Sequence, residues 1–165
     1  INLIILNMMI ILFGKQEIIG IYTNILTNSV IDILQQFGYN YIKNPSPNKH
    51  PDIIKFDQPD VGIEIKVSSN KFRVSAHHRY NTNILYGKLI VQSDQPVHFQ
   101  GVFFTDQLIT DDWYSLKPKT NSINIAKSYS TNLNSNGLTK LLRGWVFVER
   151  DCYLFNRVKK VISKR

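Results

Sequence analysis

The strongest constraint on the fold comes from a strand-like alternation in the segment Val61–Val67. Aliphatic residues fill positions 61, 63, 65 and 67 of this segment, and Glu64 and Lys66 lie between them. Because successive side chains of a strand point to opposite faces, this pattern predicts a β-strand with one aliphatic face. Glu64 and Lys66 then project together from the other face, which makes this strand a candidate functional element.

A second, shorter strand is predicted just before it, at Asp52–Phe56. If the connection between the two strands held two residues, Asp52 would pair with Ile65 and lie on the aliphatic face. For Asp52 to join the two charged residues of the longer strand, the connection must have an odd length or contain a bulge. We therefore expect a three-residue connection or a bulge within Phe56–Val61.

With such a bulge, two carboxylates and an ammonium group converge, from Asp52, Glu64 and Lys66. Two carboxylates together with a bound phosphate form the oxygen-rich site that suits Mg²⁺. The metal can polarise a phosphoryl oxygen and lower the pKa of a bound water. The lysine can orient that water or stabilise charge that grows on the phosphate. The plainer interpretation is a solvent-facing ion pair on an edge strand, with Asp52 capping a turn.

The remaining patterns predict an α/β (α+β) architecture, in which a mixed central sheet is flanked by helices. A helix is predicted over Lys15–Phe37 from apolar residues at three- and four-residue intervals, although β-branched and Asn residues in its middle leave two shorter helices open. Further predictions are a proline-rich loop at Lys43–Pro51, a turn at Asp57–Asp60, a loop or short helix at Ser69–Asn83, strands at Leu85–Ser93, Val97–Phe104 and Gly144–Glu149, a strand or short helix near Asp112–Leu116, and helices at Leu138–Arg143 and, as one option, in the basic tail Tyr153–Arg165.

The segment Pro51-Asp52 followed by Glu64-Ile65-Lys66 resembles the motif of the PD-(D/E)xK nuclease superfamily. The preceding helix and the succession of strands also match the core layout of that family, over roughly residues 15 to 105. The resemblance implies a restriction-endonuclease-like core in which Asp52 and Glu64 bind Mg²⁺, for which Mn²⁺ can substitute. It also implies that Lys66 acts on the attacking water and on the charge of the transition state.

Two further acids compete for a place in this site. Many members of the family carry an acid on the first helix, which makes Glu17 a candidate catalytic residue. Its alternative role is that of a first-turn glutamate that is favourable to the helix dipole. Asp60 repeats the Pro-Asp pair, but its separation from Glu64 is very short for the family motif, so we interpret it as a turn residue.

The charge of the chain favours an anionic partner, and nucleic acid is the commonest one. Lys and Arg total 20 against 12 Asp and Glu, which gives a formal net charge of +8. An unspecific basic surface is the alternative. Candidate DNA-binding residues, which would neutralise phosphates and fix register, follow the predicted catalytic strand or lie further along the chain: Ser68, Ser69, Asn70, Lys71, Arg73, His77, His78, Arg79, Lys117 and Lys119.

The function that the resemblance implies is a Mg²⁺-dependent, site-specific endonuclease that acts on double-stranded DNA in the manner of a type II restriction enzyme. An intron-encoded homing endonuclease and a structure-specific resolvase or repair nuclease are alternatives on the same fold. A non-catalytic DNA-binding protein on a nuclease fold is a further alternative. Because both strands of a duplex must be cut, we expect a homodimer or a larger symmetric homo-oligomer.

Length and cysteine usage bound the remaining possibilities. The 165 residues give room for a single nuclease domain, taken as residues 1–165. One cysteine, Cys152, excludes an internal disulfide framework and a cysteine-type metal cluster, and fits a reducing, cytoplasmic compartment. The apolar segment Ile1–Phe13 is shorter than the roughly 20 residues that span a bilayer, so we expect no membrane partner. A buried element and sequence upstream of the functional start both remain open for it.

Overall fold

A long helix and a six-stranded mixed sheet form the framework that carries the candidate site. The structure, a computed structural model, describes residues 14–46, 50–69, 72–76, 83–92, 95–114 and 131–163. The helices are α1 (Lys15–Gln36), α2 (Ser135–Arg143) and α3 (Tyr153–Ile162), with a 3₁₀ turn at Thr110–Asp112. The strands are β1 (Tyr41–Lys43), β2 (Ile53–Lys55), β3 (Gln58–Ser68), β4 (Ser75–Ala76), β5 (Asn83–Ile90), β6 (His98–Thr105), β7 (Thr131–Asn132) and β8 (Trp145–Val148).

Helix α1 is continuous through the stretch of β-branched residues that left two helices open. Thr23 and Thr27 remain compatible with the helix because their hydroxyls donate to the carbonyls of Ile19 and Thr23, at 2.7 and 2.8 Å. Such bonds to the carbonyl four residues earlier keep a polar side chain satisfied within a helix. Gly38 then adopts a φ of 82°, the left-handed conformation that commonly follows a helix. The helix predicted over Lys15–Phe37 is therefore confirmed, as one element.

The sheet has the strand order β1-β2-β3-β5-β6-β8. Strands β3 and β5 are parallel, and the other neighbouring strands of this sheet are antiparallel. Strands β4 and β7 form a separate two-stranded sheet. The short strands β1, β4 and β7 were not predicted, because two or three residues carry no measurable alternation.

Helices cover both faces of the sheet. On one face, Ile31 of α1 packs with Ile53, Ile65 and Leu85 of the strands. On the other face, a larger cluster joins residues of β5 and β6 to α2 and α3, whose Leu141, Leu142, Leu154 and Val158 are buried in it. The predicted architecture, an α+β fold with a mixed central sheet flanked by helices, is confirmed at this level. Within the described ranges, no helix combines the length and the apolar character needed to cross a membrane.

The register between β2 and β3 contains the irregularity that the sequence required. Ile54 pairs with Gly62, but the next residue, Lys55, pairs with Gln58, so positions 59–61 of β3 have no counterpart in β2. The connection itself is a two-residue turn at positions 56–57. The predicted bulge within Phe56–Val61 is therefore confirmed. The turn predicted at Asp57–Asp60 is wrong beyond its first residue, since β3 begins at Gln58 and Asp60 lies inside the strand.

Gly62 fixes how closely β2 approaches β3. A Cβ atom at Gly62 would overlap the carbonyl oxygen of Ile53 and the ring of Pro51, whereas a Cβ atom at Gly20 on α1 would meet nothing within 4 Å. We therefore expect Gly62→Ala to lower the free energy of unfolding by about 1–3 kcal/mol, because backbone must move to admit the methyl group.

The matched control, Gly20→Ala, should raise the same free energy by about 0.5–1 kcal/mol, since alanine is the better helix former. Urea denaturation followed by circular dichroism measures both changes. Equal effects of the two substitutions would show that the β2–β3 contact is not tight at Gly62.

Candidate functional site

The β2–β3 register places Asp52 beside Glu64. The two strands are antiparallel and Ile53 pairs with Ile63. Asp52, one residue before Ile53, therefore lies opposite Glu64, one residue after Ile63. The Oδ2 atom of Asp52 accepts a hydrogen bond of 2.8 Å from the backbone N–H of Ile65. Asp52 is half-buried, and the side chain of Glu64 is 2% exposed. Two carboxylates are thus brought together in a largely dehydrated environment.

Glu64 is held by a different partner on each of its oxygens. The ammonium group of Lys66 donates to Oε1 from the same face of β3. On the other side, His50 Nδ1 lies 2.8 Å from Oε2 and donates to it, because an ionised carboxylate only accepts hydrogen bonds. His50 and Lys66 are 31% and 25% exposed, so both partners reach from the surface towards a buried acid.

These partners decide the ionisation of Glu64. Burial by itself opposes the charged form, but the charge and hydrogen bond of Lys66, followed by those of His50, outweigh it and hold the pKa of Glu64 below its ordinary value. Glu64 is therefore a carboxylate at neutral pH despite its burial.

For Asp52 the effects that oppose ionisation are the stronger ones. Burial and then the negative charge of Glu64 raise the pKa of Asp52, against the weaker effects of the Ile65 N–H group, Lys66 and His50. With both acids ionised, the site contains repulsion that its own cations do not fully relieve. Additional positive charge at this point would favour the ionised form of Asp52.

A cleft of about 190 Å³ adjoins the cationic side of this cluster. Lys66 belongs to both, since it binds Glu64 and also lines the cleft. Arg73 contributes a second cation, and its Nε donates to the side chain of Asn132 at 2.7 Å. The described residues that line the cleft include no acid: Gln16, Ile19, Lys66, Val67, Ser68, Arg73, Val74, Ser75 and Tyr86.

The structure brings together three of the four predicted catalytic residues. Asp52, Glu64 and Lys66 form one cluster, as the sequence predicted. Glu17 does not join it: its side chain is exposed, and its carboxylate lies close to the backbone of Gly14. The neighbouring Gln16 faces the cleft instead, so the helix phase at this point differs by one residue from the expected one.

The predicted DNA-binding residues divide into two groups. Ser68 and Arg73 line the cleft, whereas the Oγ of Ser69 is buried, although its carbonyl oxygen accepts a bond from Lys88. The other members of the set lie outside the described residues: Asn70, Lys71, His77, His78, Arg79, Lys117 and Lys119.

Two side chains near the site, His50 and Lys88, were not predicted from the sequence. Lys88 is 4% exposed and donates to the carbonyl oxygens of Ser69 and Leu89 at 3.1 and 3.0 Å. Burial, and then the charge of Lys15, lower its pKa. An isolated lysine within the apolar strand of residues 83–90 was the available signal for Lys88. His50 offered only its position two residues before Asp52, where it can share the same side of an extended segment.

Asp52 and Glu64 form a small donor set for a metal ion. Among the residues that the structure describes, no group of three or more His, Cys, Asp and Glu side chains is arranged to hold a metal. Mg²⁺, however, is commonly bound through one or two carboxylates together with water and substrate phosphate. The pair of Asp52 and Glu64 fits that mode, because their mutual repulsion is the kind that a cation relieves. Comparisons with protein-family models, curated proteins and solved structures found no match for this chain.

The two carboxylates should respond oppositely to neutralisation. The pKa of Asp52 is higher in the folded protein than in the unfolded chain. Ionisation of Asp52 therefore lowers the free energy of unfolding as pH rises towards the folded-state pKa. Below the pKa of the unfolded chain this loss is absent. Asp52→Asn keeps an acceptor for the Ile65 N–H group and should raise the free energy of unfolding near neutral pH in a chelator, with a gain that shrinks in acid.

Glu64→Gln should instead lower the free energy of unfolding by about 1–3 kcal/mol near neutral pH, because the ionised Glu64 stabilises the folded state. The pKa of Glu64 is lowered on folding, so this stabilisation is present above the pKa of the unfolded chain and is lost as pH falls. Urea denaturation at neutral and acidic pH measures both effects. Asp57→Asn, on the exposed turn, is the control and should change little. Shifts of the same sign for Asp52→Asn and Glu64→Gln would contradict this electrostatic picture.

Proposed function

We propose that this chain is a Mg²⁺-dependent endonuclease that cleaves double-stranded DNA, on a core of the restriction-endonuclease type. The observation that carries the proposal is the cluster of Asp52, Glu64 and Lys66 on adjacent strands, beside a cleft lined by cations. The order of elements supports it as well: helix α1, the antiparallel strands β1 to β3, and a parallel partner for β3 in β5. That order is consistent with the layout that the sequence resemblance implies.

In this function Asp52 and Glu64 would hold Mg²⁺, or Mn²⁺ in its place. The ion, when bound, would polarise a phosphoryl oxygen and make a bound water more acidic. Asp52 and Glu64 offer it two carboxylates that burial has already stripped of much of their water. The bond to the Ile65 N–H group fixes one oxygen of Asp52, and among the described residues no hydrogen bond to its other oxygen is present.

Lys66 is suited to act on the reacting phosphate. Its ammonium group lies between the buried carboxylate and the cleft, where it would orient the attacking water and stabilise negative charge on the phosphate. Hydrolysis forms a bond from the water oxygen to phosphorus and breaks the bond to the leaving oxygen, which takes up a proton. The ion pair with Glu64 holds the Lys66 ammonium group at the edge of the cleft before the phosphate arrives.

The cleft is suited to the nucleic-acid backbone. Lys66 and Arg73 supply positive charge, and the hydroxyls of Ser68 and Ser75 supply polar contacts that phosphates and sugars accept. The net charge of +8 adds a long-range attraction for a polyanion. Site-specific cleavage by a symmetric homodimer, in the manner of a type II restriction enzyme, is the form of this activity that we propose.

Lys66→Ala tests the proposed chemistry. We expect it to reduce cleavage of plasmid DNA in Mg²⁺ at least about 100-fold, because a charge that stabilises the transition state is removed. Single-turnover assays on supercoiled plasmid measure the rate. Lys55→Ala, which removes a half-buried lysine of β2 that pairs with Asp57 on the turn, should cleave normally.

Two results would overturn the nuclease proposal. Cleavage by Lys66→Ala at the wild-type rate would remove Lys66 from the mechanism. If the wild-type protein bound DNA but never cut it in Mg²⁺ or Mn²⁺, a non-catalytic DNA-binding protein would be the better description.

Arg73→Ala tests the role of the cleft in DNA binding. Loss of one phosphate contact should weaken binding uniformly across sequences and reduce the slope of log affinity against log salt by about one. Fluorescence anisotropy with duplex DNA in a chelator, over a series of salt concentrations, gives this slope without cleavage. Arg150→Ala removes an exposed arginine that does not line the cleft and is the control. Equal slopes for the wild type and Arg73→Ala would exclude Arg73 from the phosphate contacts.

A further inference from the structure

We propose that His50 is a positioning residue for the metal site, which fixes the carboxylate of Glu64 relative to that of Asp52. This inference rests on the proposed function, because it assigns His50 a task in binding the metal ion. His50 was not among the residues that the sequence motif singles out.

Glu64 is held by two partners, one on each carboxylate oxygen. Its carboxylate is almost completely buried, with Lys66 on Oε1 and His50 on Oε2 at 2.8 Å. An ionised carboxylate offers about four lone-pair positions, two on each oxygen. His50 and Lys66 take one position on each oxygen, so the group is oriented while a second position on each remains for a cation.

His50 reaches Glu64 from the same chain segment that carries Asp52. His50 and Asp52 belong to one short segment before β2, and both reach across to β3. His50 bonds to the side chain of Glu64, and Asp52 bonds to the backbone of Ile65, each at 2.8 Å. Two bonds from one segment to adjacent residues of β3 fix the separation of the two carboxylates. A cation that must touch both acids gains from that fixed separation, because it does not have to order them on binding.

His50 and Lys66 hold Glu64 in different ways. Lys66 has a flexible stem and also lines the cleft, so an arriving phosphate competes with Glu64 for its ammonium group. The imidazole of His50 is planar and has few rotatable bonds, and it is not among the residues that line the cleft. His50 can therefore keep Glu64 in place while Lys66 turns towards the substrate. Hydrogen-bond partners of metal-binding carboxylates typically contribute about 10- to 100-fold in metal affinity or activity.

The experiment compares three variants of the full chain with the wild type. His50→Ala removes the hydrogen bond to Glu64, whereas His50→Asn keeps a donor, because the amide nitrogen of Asn occupies the place of Nδ1. His98→Ala is the matched control: His98 also lies near a glutamate, at 3.5 Å from Glu149, but away from the two carboxylates. The probes are Mg²⁺ and Mn²⁺ alone, and isothermal titration calorimetry measures their affinity for each protein without DNA.

We expect His50→Ala to bind both ions about 10- to 100-fold more weakly than the wild type. His50→Asn should retain most of the affinity, and His98→Ala should be unchanged. Circular dichroism of each variant shows whether it is folded, and if His50→Ala does not fold, the affinity of His50→Asn against that of His50→Gln, whose amide nitrogen lies farther out, decides the matter.

The outcomes separate this inference from the function on which it rests. If His50→Ala binds Mn²⁺ as tightly as the wild type while Glu64→Gln does not bind it, the metal site stands and the role of His50 is wrong. If His50→Asn is as weak as a folded His50→Ala, the bond to Glu64 is not the reason for the loss and the inference also fails. If the wild type binds neither ion, both the metal site and the role of His50 are wrong.

Discussion

Three residues of β3 that have no partner in β2, at positions 59–61, decide on which side of the sheet Asp52 lies. If β2 and β3 paired regularly from the two-residue turn onward, Asp52 would lie opposite Val61, and its carboxylate would enter the apolar layer beneath α1. The buried members of that layer that the structure describes, Ile31, Ile53, Ile65 and Leu85, are all aliphatic. The bulge moves Asp52 to the side of Glu64, and Gly62 then permits the close approach that the new register needs. Everything that the site can do depends on this one shift.

The same shift creates an electrostatic cost that the fold only partly offsets. Glu64 is buried but has Lys66 on one oxygen and His50 on the other, whereas Asp52 accepts a bond from a backbone N–H group and is repelled by the charge of Glu64. A protein selected for stability alone would not place two carboxylates together in a dehydrated position. Groups whose ionisation is shifted in opposite directions by the same neighbourhood are typical of functional sites. The cost is local, since the apolar clusters on both faces of the sheet do not depend on it.

The sequence predicted the parts of this arrangement that repeat. Period-two alternation gave β3 and its polar face, helical spacing gave α1, and the conflict between that alternation and the position of Asp52 required a bulge. Features that depend on a single contact between distant residues could not be predicted from the sequence. Glu17 was placed by analogy of position, but the helix turns Gln16 towards the cleft, and one residue on a helix is a rotation of about 100°. His50 was missed because its hydrogen bond to Glu64 crosses from a loop to a strand, which no local pattern records.

The face of the sheet on which each charged residue lies is set by its position in the strand, and the net charge of the chain does not determine it. Glu64, Lys66 and Ser68 alternate along β3, and the parallel register sets Ile84, Tyr86 and Lys88 beside them on the same face. Lys66 is partly exposed and paired with a carboxylate, while Lys88 is buried and bonded to carbonyl oxygens, which lowers its pKa. The two lysines on this face therefore differ in role. Lys66 can contact an incoming anion, whereas Lys88 links β5 to the residue that follows β3. The net charge of +8 predicts neither role, because the environment of each ammonium group depends on the position of its lysine in the strand.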